Sequence, residues 1–184
     1  MVEGAIDRVL FSEKDIAEKV EELGKQITKD YKGKDLLLVC VLKGGILFMS
    51  DLSKKIDLPL KMDFIAVSSY GDSTVSSGVV KILKDLDTSI EGKDVLIVED
   101  IIDSGLTLKY LLGNLKTRKP ASLKVCTLLD KPKRRTVDLT PEYCGFSIEN
   151  HFVVGYGLDF MQMFRNVPYV FIPKQEYVDK MQSS

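Results

Sequence analysis

Three short, strongly apolar runs limit how this chain can fold: LLLVCVL at 36–42, VLIVED at 95–100 and LKVCTLL at 123–129. None approaches the roughly 20 apolar residues that a membrane helix needs. The first two lack the alternation of a strand wetted on one face, so they read as strands buried on both faces of a sheet. Helical patterns precede and separate the runs. Residues 12–31 carry Ser12 and Asp15 as reciprocal caps and Ile16, Val20, Leu23 and Ile27 as one apolar stripe. Further helices are expected at 46–55 and 107–116, and shorter strands at 62–67, in VVKIL, and at 143–148, 151–154 and 169–172. Strands alternating with helices give an α/β fold: a mostly parallel twisted sheet with helices on both faces, plus a small flap or hood. There is no internal repeat or long linker, so one domain over 1–184 is expected.

Every apolar run empties directly into a polar turn: KGG after the first, EDIIDSGLT after the second, DKPKRR after the third. Ligands of open α/β sheets bind beyond the carboxyl ends of the strands, where these turns lie. The middle turn carries the most chemistry. A buried strand delivers two adjacent acids, Glu99 and Asp100, to the sheet edge. Asp103, Ser104, Gly105, Leu106 and Thr107 then open a helix, with small size, hydroxyls and free backbone N–H groups at its positive end. Those are the properties of a phosphate cradle. The acids would repel one another unless ribose hydroxyls or a magnesium ion satisfied them. Neither a nucleoside-triphosphate loop, G-x-x-x-x-G-K-[ST], nor the dinucleotide fingerprint G-x-G-x-x-G is present.

Other chemistries drop out early. One histidine, His151, leaves little for a histidine relay or a multi-histidine metal site, and G-x-S-x-G and H-E-x-x-H are missing. The formal net charge of -1 gives no bulk attraction to nucleic acid or an anionic membrane. Cys40, Cys126 and Cys144 are spaced for neither disulfides nor zinc, and read as buried, reduced thiols of a cytoplasmic protein. The N-terminal residues lack the apolar stretch of a signal peptide.

The 95–108 segment resembles the phosphoribosyl diphosphate signature of type I phosphoribosyltransferases. Three further segments narrow the likeness: Val41-Leu42-Lys43-Gly44-Gly45, Ser68-Ser69-Tyr70-Gly71, and Val153-Val154-Gly155-Tyr156-Gly157-Leu158-Asp159 followed by Phe164-Arg165-Asn166. In this order, and over most of the chain, they resemble the hypoxanthine-guanine phosphoribosyltransferase family. The resemblance implies transfer of the 5-phosphoribosyl group from phosphoribosyl diphosphate to hypoxanthine or guanine, giving IMP or GMP and pyrophosphate, with Mg2+ as cofactor. It implies that Ser104, Gly105, Leu106 and Thr107 bind the 5′-phosphate, and that Glu99 and Asp100 hold the ribose hydroxyls directly or through magnesium. Lys43, Gly44 and Arg165 would bind pyrophosphate, with a cis peptide after Leu42. Ser69 and Tyr70 would belong to a mobile loop over the reacting centre, spanning 68–78. Asp159 would help hold a second magnesium through water. Lys131 would meet the 6-oxo group and Phe152 would stack on the ring, while backbone near Val153 and Asp159 would read the 2-amino group of guanine. A homodimer or homotetramer is also implied.

The reaction sets tasks that these residues suit. Breaking the C1′ bond leaves oxocarbenium-like charge, so the leaving pyrophosphate needs cations and the purine must lose a proton, with Asp103 as the candidate base. The Lys131 ammonium carries only donors, which suits the O6 acceptor of hypoxanthine or guanine and not the amino group of adenine. Two other readings stand beside this one. One is a xanthine-preferring or broader 6-oxopurine transferase. The other is a nucleotide-sensing, RNA-binding regulator on the same fold, which the balanced charge disfavours.

Overall fold

In the computed structural model residues 2–69 and 80–182 are described. A capping box starts helix α1 (Glu13–Asp30): the Asp15 N–H donates to Ser12 Oγ at 3.2 Å, and the Ser12 N–H donates to Asp15 Oδ2 at 2.8 Å. Strand β1 (Ile6–Phe11) precedes it, and strand β2 (Leu36–Leu42) follows. Next come α2 (Ile46–Ser53), β3 (Lys61–Ser69), β4 (Val80–Lys84), β5 (Asp94–Ile102), α3 (Leu106–Lys116), β6 (Ser122–Asp130), β7 (Tyr143–Ser147), β8 (Val170–Pro173) and α4 (Gln175–Gln182).

The central sheet has the order β4-β3-β2-β5-β6-β7 and is parallel except for β4, which returns antiparallel to β3 at one edge. The period of two along a strand divides its side chains between two cores. Leu36, Leu38 and Cys40 of β2, with Leu96 and Val98 of β5, pack under α1 and α2 against Ile16, Val20, Leu23, Phe48 and Leu52. Leu37, Val39, Val95 and Ile97 face the other way, onto Leu108, Leu111 and Leu115 of α3. Helices therefore cover both faces. Burying each such aliphatic side chain is worth roughly 1.5–3 kcal/mol relative to exposure, so the double cover explains why the runs are apolar throughout.

The expected hood is built from elements distant in sequence. Strand β1 pairs antiparallel with β8, and around this two-stranded sheet Ala5, Val154, Phe160, Phe164, Val167 and Phe171 form a third core. Three expectations need correction here. Residues 151–154 form no strand; Val154 makes an isolated bridge to Phe171, because the segment turns to cap the hood. The second helix ends at Ser53 rather than Lys55. Cys40 and Cys126 are buried thiols, but Cys144 is exposed, since the edge strand β7 has one open face. No helix among the described residues is long and apolar enough to cross a membrane.

Candidate active site

Parallel pairing sends the carboxyl ends of β2, β3, β5, β6 and β7 to one edge, and the register decides what meets there. Strands β5 and β6 run with Ile102 opposite Asp130, so the next residues, Asp103 and Lys131, leave the sheet side by side. The Lys131 ammonium, 7% exposed as a residue, lies 3.1 Å from Asp103 Oδ2, and its backbone N–H donates to the Ile102 carbonyl at 2.9 Å. Arg134 Nε donates to the other carboxylate oxygen at 3.0 Å, and Arg135 donates from one guanidinium nitrogen to the Asp103 carbonyl at 2.7 Å and from the other to the Asp130 carboxylate. Partial burial pushes the Asp103 carboxyl up, but hydrogen bonds from Arg134 and Lys131 outweigh it and hold the group below the ordinary aspartate range. Asp103 does not cap α3; Gly105 does, in the left-handed region at φ 82 and without a side-chain cap.

The turn at 103–107 encloses a pocket of about 150 Å³ bounded by Glu99, Asp103, Ser104, Gly105 and Thr107. The Arg135 side chain lies against Gly105, at 2.9 Å from where a Cβ would stand. An α-helix opening on such a pocket with no side-chain cap offers N–H groups and a positive dipole end to an anion.

Glu99 and Asp100 sit at the end of β5. Burial, then the charge of Asp100, raises the Glu99 carboxyl well above its usual value. Burial likewise lifts Asp100 to about 6, although its carboxylate accepts the Ile101 N–H at 2.8 Å and feels the Arg165 charge. Two adjacent carboxylates that resist ionisation call for a cationic or multiply hydroxylated partner. Among the described residues no three acids, cysteines or histidines cluster tightly enough to cage a metal alone. Two adjacent carboxylates near the end of β5 fit Mg2+, which is ordinarily held by one or two carboxylates, waters and substrate phosphates.

The turn after β2 closes the site from the other side, and the Leu42–Lys43 peptide in it is cis, as the resemblance implied. Lys43 reaches the hood, where its ammonium donates to Gln162 Oε1 at 3.2 Å. Arg165 donates to the Gly157 carbonyl at 2.7 Å and pairs with Asp159 Oδ1 at 2.7 Å. Asp159 is therefore occupied on both oxygens, since Oδ2 accepts the Gln162 N–H at 2.8 Å. Phe152 is 49% exposed, with an edge-to-face contact to Phe160 at 5.7 Å between centroids, whereas Val153 is buried. Ser69 ends β3, and Tyr70 with the rest of the expected loop lies outside the described residues.

A model of the phosphoribosyl transferase domain matches residues 10–161. The chain is 54% identical over 180 residues to a hypoxanthine-guanine phosphoribosyltransferase of Streptococcus thermophilus (strain CNRZ 1066), covering 98% of this chain and 100% of that one. The chain belongs to the phosphoribosyltransferase family. A hypoxanthine phosphoribosyltransferase of Staphylococcus aureus superposes with a TM-score of 0.94 at 50% identity, over 96% of each chain. A Trypanosoma cruzi hypoxanthine phosphoribosyl transferase, solved in work on the role of its C-terminal region in oligomeric state and enzymatic activity, gives 0.94 at 40% identity, over 98% of this chain and 97% of that one.

In this phosphoribosyltransferase the structure brings Glu99, Asp100, Asp103, the 104–107 turn and Lys131 to one sheet edge, and links Lys43 to Arg165 and Asp159 through Gln162. Sequence reasoning overlooked Gln162, Arg134 and Arg135. In the sequence the two arginines are only part of the polar turn DKPKRR, and the β5–β6 register brings both to Asp103. Tyr156 was overlooked too: its hydroxyl donates to Asp51 of α2 at 2.7 Å and ties the hood to the helix that follows Gly44–Gly45. Volume alone would mislead here. A pocket of about 560 Å³ lies between α1, α2 and the hood, but it contains neither the acid pair nor the 104–107 turn.

Proposed function

We propose that the chain transfers the 5-phosphoribosyl group from phosphoribosyl diphosphate to hypoxanthine or guanine, releasing pyrophosphate, as a purine salvage enzyme. The observation that carries this reading is the Asp103–Lys131 pair, 3.1 Å apart, at the mouth of the 103–107 turn. It sets a proton acceptor and a donor-only cation beside a site for a 5′-phosphate. A 6-oxopurine offers complementary groups, a proton to lose at N7 and an acceptor at O6. Ser104, Gly105, Leu106 and Thr107 hold the 5′-phosphate, and Glu99 and Asp100 hold the ribose hydroxyls. Lys43, Gly44 and Arg165 bind the pyrophosphate, while Phe152 offers an exposed ring face to the base and the backbone near Val153 and Asp159 meets its 2-position.

Glu99 and Asp100, with Asp159 through water at a second position, are the residues that would hold Mg2+. When bound, the ion spreads the charge that builds on the leaving pyrophosphate. The chain's own residues orient the two substrates, exclude water and accept the purine proton at Asp103. We further assign the chain to the cytoplasm, which three unpaired cysteines support. A homodimer or homotetramer is supported by Ile46 and Met62, 44% and 55% exposed, which line one depression with Met49 and Phe64.

The test is a base-substitution assay. Purified protein with magnesium and phosphoribosyl diphosphate is offered hypoxanthine, guanine, xanthine or adenine separately, and nucleotide formation is followed. Rapid turnover of the first two with adenine inert is expected. Product from adenine would mean that the Lys131 contact has been misassigned, and no product from any base would remove the transferase reading.

A further inference from the structure

Lys43 and Arg165 come from opposite ends of the fold, one from the turn after β2 and one from the hood, yet they share a single acceptor. The Lys43 ammonium and an Arg165 guanidinium nitrogen each donate to Gln162 Oε1 at 3.2 Å. The remaining contacts of Arg165 are internal, to the Gly157 carbonyl and the Asp159 carboxylate. Gln162 is itself held against its backbone preference. It has a φ of 65, in the left-handed region, between Met161 at 51 and Phe164 at 72, and its N–H is tied to Asp159 Oδ2. A non-glycine residue in that region is retained where its surroundings fix it.

An amide oxygen between two cations is a particular chemical choice. A carboxylate there would form strong charge-assisted bonds and neutralise both cations. An apolar side chain would leave them without an acceptor. The amide oxygen is polar enough to draw both cations together but carries no net charge, so an anionic phosphate oxygen displaces it favourably. We propose that Gln162 is a positioning residue of the pyrophosphate site: its amide oxygen stands in for a pyrophosphate oxygen between Lys43 and Arg165, and yields that place when the anion binds. The proposal rests on the reading of Lys43 and Arg165 as pyrophosphate ligands.

The experiment runs the reaction backwards, measuring KM for pyrophosphate at saturating IMP in Gln162→Glu and Gln162→Met. The side chain is exposed, so both variants should fold. The glutamate competes as an anion and should raise KM about tenfold or more, by like-charge repulsion and retained ion pairs. The methionine removes a neutral competitor of similar length and should lower KM by about threefold, the scale of one net hydrogen bond. The KM for IMP should move less than about twofold in either, since the base and 5′-phosphate contacts are elsewhere. A residue that merely braces the hood would weaken pyrophosphate in both variants. A shift of the same sign in both, or no shift in either, overturns the proposal. Lys43→Met and Arg165→Met serve as companions. If these leave pyrophosphate KM unmoved, the pyrophosphate assignment itself fails, whatever Gln162 does.

Discussion

Gly44 and Asp100 are in direct contact: a Cβ on Gly44 would lie 1.6 Å from Asp100 Oδ2. The Gly44 carbonyl is covered in turn by Gly157, whose added Cβ would come within 2.1 Å of that oxygen, at a φ of 98. The Gly44 turn, the acid pair and the hood are thus stacked with no room for a methyl group. Gly44→Ala should cost about 1–3 kcal/mol, as overpacking of a tight site does. For a chain of this size that is a fall in Tm of roughly 2–12 °C. The KM for phosphoribosyl diphosphate should rise as well. Thermal melting and steady-state kinetics check both, and an unchanged Tm would show that the contact relaxes freely.

Asp103 is assigned as the base that takes the purine proton. Asp103→Asn keeps the shape and removes the acceptor charge, so kcat should fall by about 10²–10⁴-fold. The KM for phosphoribosyl diphosphate should change little, because the 104–107 turn is untouched. Near-normal turnover in the variant would remove Asp103 from the role.

The same carboxylate makes a pH prediction with a definite sign. Its folded pKa lies below the ordinary value of 3.8, burial being outweighed by Arg134 and Lys131. A depressed carboxyl contributes stability that is fully present above the unfolded value and lost as pH falls through the folded one. The stability gap between the wild type and Asp103→Asn should therefore be flat from about pH 5 to 8 and shrink below about pH 4. Urea midpoints at three pH values would measure it, and a gap that widens on acidification contradicts the assignment.

The sequence was most informative where a residue's role is local. The apolar runs at 36–42 and 95–100 announce β2 and β5 because strands buried on both faces have no polar option. Ser12 and Asp15 announce the start of α1 because a capping box is complete within four residues. Glu99, Asp100 and the 103–107 turn are legible for the same reason: one strand, one turn and one helix start present them together. The hood is not. Strand β1 carries Asp7 and Arg8 on a largely exposed ribbon and finds its partner, β8, only across almost the whole chain. Helix α4 buries little besides Val178. Arg134 and Gln162 act through neighbours 31 and 119 residues away in sequence, and no local pattern encodes such distances.

Glu99 and Asp100 are costly in the empty protein and, on the proposed function, necessary in the working one. Excess chelator should abolish turnover, with activity returning when magnesium is restored. Asp100→Asn should raise the Tm of the ligand-free protein, since it removes a buried charge whose pKa is already pushed to about 6, and should also depress activity. That opposition between stability and function is common at sites built to bind charge. Full activity in excess chelator would contradict the two-acid reading, and a lower Tm in the variant would show that Asp100 is already well satisfied.

Lys131 offers the clearest test of base choice. It is nearly buried, fixed by its backbone bond to Ile102, and shares its ammonium with Asp103. On the proposed function, O6 of an entering purine competes for that ammonium. Asp103 then loses one of its two cations just as the purine proton must be accepted, so recognition of the 6-oxo group also makes the base stronger. Adenine presents an amino donor instead, which leaves the ammonium without a new acceptor and Asp103 without the gain. Lys131→Gln can turn either an acceptor or a donor towards the ring, so it should weaken the distinction from both directions. The ratio of kcat/KM for hypoxanthine over adenine is expected to fall by about 10²-fold or more, since a site built around one polar partner can discriminate by about 10⁴–10⁵. Most of that fall should come from lost hypoxanthine turnover, because the ammonium that meets O6 is gone. An unchanged ratio would place base selection in the hood backbone near Val153 rather than at Lys131.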